Sequence, residues 1–140
     1  MFNPSREQAR AFFIEAWRKR RAGLLLTPLE TIAADLAAIH PEYHPLLQQG
    51  EAALAREWTP EQGETNPFLH LSLHLAIEEQ LSIDQPPGLR AAFANLLARH
   101  GERHAALHEI LECLAETIWQ AQRNQSAPDG AAYLECIKRR

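Results

Sequence analysis

Four times in this chain a small polar residue is followed directly by proline: Asn3-Pro4, Thr27-Pro28, Thr59-Pro60 and Asn66-Pro67. Each pair fits a helix N-cap followed by the first helical residue, where the N–H that proline lacks would have no partner anyway. Thr27-Pro28-Leu29-Glu30 adds the spacing of a capping box. Valine is absent and no stretch alternates as a half-buried strand does. Helices are therefore expected over about 4–22, 28–40, 67–83, 88–100, 103–124 and 128–138. Residues 41–65, interrupted by prolines and glycines, are expected to hold short helical turns. Gln85-Pro86-Pro87-Gly88 separates two helices, and Gly101 either breaks the chain again or sits inside one long helix. The predicted class is all-α: a single domain over 1–140, a compact bundle of about four main helices plus short ones.

Of the 140 residues, 46% are apolar and 23% charged, enough to bury a core without staples. A formal charge of −4 and a pI near 6.0 speak against a nucleic-acid binder. The basic runs Arg18–Arg21 and Lys138–Arg140 read as solvated helix ends, where cations oppose the negative pole of the dipole. No apolar run reaches a membrane span, and the N-terminus lacks a signal-peptide pattern. Cys113 and Cys136 have no metal-finger or CxxC spacing. A reduced pair in a cytoplasmic protein is the simplest expectation.

The informative feature is a repeated spacing. His70, His74 and Glu78 lie at i, i+4 and i+8, and His104, His108 and Glu112 repeat the pattern. On an α-helix such positions fall within about 80° of one another around the axis. Leucines and isoleucine flank the first stripe, so its histidines are expected to face inward. The second stripe adjoins an apolar face and should lie at its edge. Two imidazoles one turn apart can converge on one ion at bonds of about 2.0–2.1 Å. His70, His74, His104 and His108 are therefore candidate ligands of zinc, iron or manganese. Glu78 and Glu112 would be further ligands, or would orient the imidazoles from behind. Parallel stripes would give a four-histidine layer with a carboxylate pair above it, and antiparallel stripes mixed layers. The alternative is that each histidine pairs with a neighbouring carboxylate or packs structurally.

A third pair, His40 and His44, sits in HPEYH, where two prolines disturb regular helix. That pair is expected to form a rigid connector with exposed rings, or else to deliver one more ligand. No zinc-protease, phosphate-loop or nucleophile-elbow motif is present. If catalytic, the chain would act through an open metal position. The rival function is a non-catalytic interaction module with structural histidines, Tyr43 and Trp58 supplying a surface for a protein partner or a second copy. Haem held between His74 and His108 is a third reading.

The segments FNPSREQARAFFIEAWRK, HPEYH, ETNPFLHLSLHLAIEEQLSIDQPPG, CLAETIWQAQRN and AAYLECIKR resemble a family of small bacterial proteins known only as a domain of unknown function. The resemblance spans nearly the whole chain. It implies a helical cytoplasmic protein and supplies no reaction or site residue. In layout the histidine pairs are also similar to metal-binding bundles of the hemerythrin and DinB-like kind. The ExxH pattern of ferritin-like di-iron proteins is missing.

Overall fold

A computed structural model describes residues 5–58 and 66–140. Every regular element among these residues is helical, as expected for an all-α chain. Two compact units are resolved, residues 1–75 and 76–140, with the boundary inside one long helix.

In the first unit, α1 (Arg6–Ala22) begins at Ser5. The Ser5 hydroxyl accepts from Gln8 N at 3.2 Å, and Gln8 Oε1 accepts from Ser5 N at 2.9 Å, a complete capping box. The expected cap at Asn3-Pro4 lies outside the described residues. Ser5→Ala is expected to cost about 1 kcal/mol, measurable as a shift in a urea unfolding midpoint. Gly23 closes α1 with φ 72°, a left-handed conformation that glycine adopts without Cβ strain.

The next helix, α2 (Pro28–Ala38), has the anticipated capping box: Thr27 Oγ1 accepts from Glu30 N and Glu30 Oε1 from Thr27 N. Lys19 and Arg20 of the basic run pair with Glu30 and Asp35 at 2.8 and 2.9 Å. These two cations thus serve as helix-to-helix contacts within the unit. After α2 come a 3-10 turn (Pro41–Tyr43) and the short helices α3 (His44–Leu47) and α4 (Glu51–Leu54). They realise the helical turns expected of the proline-rich stretch. The expected cap at Thr59-Pro60 lies outside the described residues.

The long helix α5 (Pro67–Ile83) has the predicted bounds. Asn66 Oδ1 accepts from Phe68 N at 2.9 Å and Leu69 N at 3.3 Å, as the Asn-Pro pair foretold. Phe13, Ala16, Leu36, Leu47, Phe68 and Leu71 form the heart of this unit's core.

In the second unit, α6 (Leu89–His100), α7 (Arg103–Arg123) and α8 (Gly130–Lys138) pack against one another. Gly101, at φ 75°, ends α6, so residues 88–124 are two helices rather than one. Leu96, Leu107, Ile110 and Ile137 are fully buried. The expectation of reduced cysteines is not met. Cys113 and Cys136 form a disulfide, with Cα atoms 5.8 Å apart, tying α7 to α8. Nothing in the 23-residue spacing announced it, because only the packing of α8 on α7 brings the two together. Among the described residues no helix is long and apolar enough to cross a membrane.

Candidate metal centre

The first unit gathers three imidazoles. His40 follows α2 and precedes Pro41, whose ring excludes helical geometry for the residue before it. His40 accordingly has φ −124° and ψ 66°, and the chain turns there. The turn carries its side chain inward, to 2% exposure. The His40 Nδ1–H donates to the Leu36 carbonyl at 2.7 Å. That bond settles which nitrogen holds the proton in the neutral ring and leaves the Nε2 lone pair facing the cluster.

The other two members come from α5. His74 is 1% exposed and His70 partly buried, so the inward bearing expected of this stripe holds. The His40 and His70 Nε2 atoms are 3.2 Å apart. Ring centroids lie 5.0 Å apart for His40 and His70, and 4.8 Å apart for His74 and each of the others. One nitrogen of His40 lies within 4.8 Å of one of His74. Tyr43 stacks on His40, the planes 3° apart, and meets His70 edge-on. Burial, helped by the charge of Glu42, raises the Tyr43 phenol above its ordinary pKa.

His44 does different work. Its Nε2–H donates to the Ala37 carbonyl at 2.7 Å and its ring stacks on Trp17 with centroids 4.3 Å apart. Sequence reasoning favoured a connector with exposed rings for both histidines. Neither ring is exposed: His44 is a partly buried strut, and His40 joins the cluster. The signal for His40 was present in HPEYH, where proline forces a turn just after a histidine.

The second unit holds the other pair. His104 and His108 sit one turn apart on α7, partly buried at the edge of its apolar face, as expected. Their ring centroids are 4.1 Å apart, and one nitrogen of each lies within 4.8 Å of the other. Glu102 caps this helix, its two oxygens accepting from His104 N at 2.9 Å and Ala105 N at 2.7 Å. Those bonds, Ala105 foremost, hold the Glu102 carboxyl below the usual carboxylate range.

The carboxylates of the two stripes are engaged by arginines. Glu78 pairs with Arg103 at 3.0 Å, and Glu112 with Arg140 at 2.6 Å. Glu112 is also largely exposed. In this arrangement both serve as ion-pair partners.

The family described as "Domain of unknown function (DUF1841)" matches residues 5–139. No curated protein and no solved structure matches the chain.

Proposed function

Since the chain belongs to the DUF1841 family, a domain of unknown function, we propose from side-chain chemistry alone that it binds a transition-metal ion through its histidines. The observation that carries this reading is the His40–His70–His74 cluster. Three imidazoles meet in a largely apolar interior, and one is oriented by a backbone carbonyl as metal-bound histidines are. Two Nε2 atoms 3.2 Å apart suit bonds of about 2.0–2.1 Å meeting at roughly 100°.

The proposed donors are His40, His70 and His74 of the first unit. His104 and His108, one turn apart on α7, are a separate candidate pair, and the whole chain is proposed as one functional domain. Glu78 and Glu112, bound by arginines, are assigned to an outer layer in the same proposal. An all-imidazole set suits zinc or iron better than manganese, which prefers oxygen donors. The bound ion would supply Lewis acidity, and the buried rings would hold it away from bulk water.

Chelator-stripped protein dialysed against zinc and then against metal-free buffer is expected to retain one ion per chain by elemental analysis. Loss of all zinc in that second dialysis would overturn the proposal.

A further inference from the structure

The two halves of the disulfide in the second unit differ in access. Cys113, on α7, is 0% exposed. Cys136, on α8, is partly exposed and lines a cleft of about 400 Å³, walled by α7, the connection after it and α8. That volume is in the range of small-ligand sites. Small side chains, Ala127 and Ala132, leave room in it. Ala132 is exposed and stands one turn before Cys136, and a helical side chain leans back over the preceding turn. Ala132 and Cys136 therefore share the face of α8 that lines the cleft.

Thiol–disulfide exchange begins when a thiolate attacks one sulfur of the bond, and access decides which sulfur is attacked. Here a reagent in the cleft reaches Cys136, whereas Cys113 offers no surface to it. The packing of α8 on α7 places the two Cα atoms 5.8 Å apart, so Cys113 stays within reach of Cys136 once the bond opens. An exposed sulfur that exchanges, backed by a buried sulfur that resolves, is the arrangement a reversible dithiol needs.

We propose that Cys136 is the entry sulfur of a thiol–disulfide exchange site, at which a small dithiol admitted by the cleft reduces the Cys113–Cys136 bond in the folded protein. One thiolate of the dithiol attacks Cys136 Sγ and forms a mixed disulfide. The Cys113–Cys136 bond breaks, and Cys113 leaves as a thiolate that takes up the proton lost by the attacking thiol. The second thiol then attacks the dithiol's own sulfur in the mixed disulfide. It closes a cyclic disulfide and releases Cys136, which takes up the second proton. Two electrons pass from the dithiol to the protein. In the reverse sequence Cys136 attacks a small disulfide and Cys113 resolves the mixed species. None of these steps uses a histidine, so the proposal stands apart from the metal reading.

The cleft carries both signs of charge, Glu116 and Asp129 against Arg139, so the probe is uncharged dithiothreitol. Native protein is reduced at several urea concentrations below its unfolding transition, quenched with iodoacetamide and weighed by mass spectrometry. The rate is expected to be the same at each urea concentration, whereas reduction that waits for unfolding accelerates with denaturant. Ala132→Leu fills the cleft with a good helix former and is expected to slow reduction at least ~10-fold with an unchanged unfolding midpoint. With hydroxyethyl disulfide, Cys113→Ala is expected to gain one mixed disulfide on Cys136, and Cys136→Ala to stay unmodified, circular dichroism verifying that both are folded. A rate that climbs with urea, an undiminished rate in Ala132→Leu, an unmodified Cys136 in Cys113→Ala, or a modified Cys113 in folded Cys136→Ala would each overturn the assignment.

Discussion

His74→Ala is expected to lower zinc affinity by at least ~100-fold, beyond the ~10–100-fold that follows loss of a group that merely orients a ligand. His74 is almost fully buried, and its ring lies 4.8 Å from those of both His40 and His70. Removing it takes a donor from the interior, and water cannot enter freely to replace it. His40→Ala should have a comparable effect, because it removes both a donor and the ring that the Leu36 carbonyl holds in place. His100→Ala is the control, since His100 ends α6 as an exposed residue. Competition against a chromophoric chelator, with circular dichroism to verify folding, makes the comparison. His74→Gln fills more of the vacated space and separates donor loss from cavity formation. Equal affinity in native, His74→Gln and His40→Ala proteins would remove these residues from the ligand set.

The second large effect concerns stability. Cys113→Ala together with Cys136→Ala is expected to cost about 3 kcal/mol, the entropy recovered by an unfolded chain once a loop of this length is released. Alanine is chosen because Cys113 has 0% exposure and a serine hydroxyl would be buried there. The loss should be borne mainly by α8, whose remaining anchors are few. Tyr133 and Ile137 are buried, and the Tyr133 hydroxyl donates to Gln80 Oε1 at 2.7 Å. Arg140, just past the helix, reaches Glu109 and Glu112. Urea unfolding of the native and double-variant proteins measures the difference, and hydrogen exchange over 130–138 locates it. A double variant as stable as the native chain would show that the bond adds nothing beyond packing.

Helix positions were largely legible because their end signals are local. Asn66-Pro67 and the Gln-Pro-Pro-Gly stretch bracket α5, and the helix has both predicted ends. α2 stops at Ala38, short of the expected 40, because proline at 41 withdraws His40 from helical geometry. The inward bearing of His74 was legible from its leucine neighbours. Three features were not. The disulfide depends on how α8 lies on α7. The capture of Glu78 and Glu112 by Arg103 and Arg140 depends on cations 25 and 28 residues away. HPEYH leaves His40 either as an exposed connector residue or as one more ligand, and only the direction of the turn at Pro41, which carries the ring inward, decides between them.

The end of α2 has a chemical consequence of its own. Its Leu36 and Ala37 carbonyls take hydrogen bonds from the His40 and His44 rings, where a glycine-terminated helix would turn back on itself. Carbonyls there carry the negative pole of the helix, so they push electron density through the His40 ring toward its far nitrogen. The main chain of α2 thereby tunes how strongly that nitrogen donates. A helix-breaking change in this last turn would alter the electronics of the cluster while leaving all of its side chains intact.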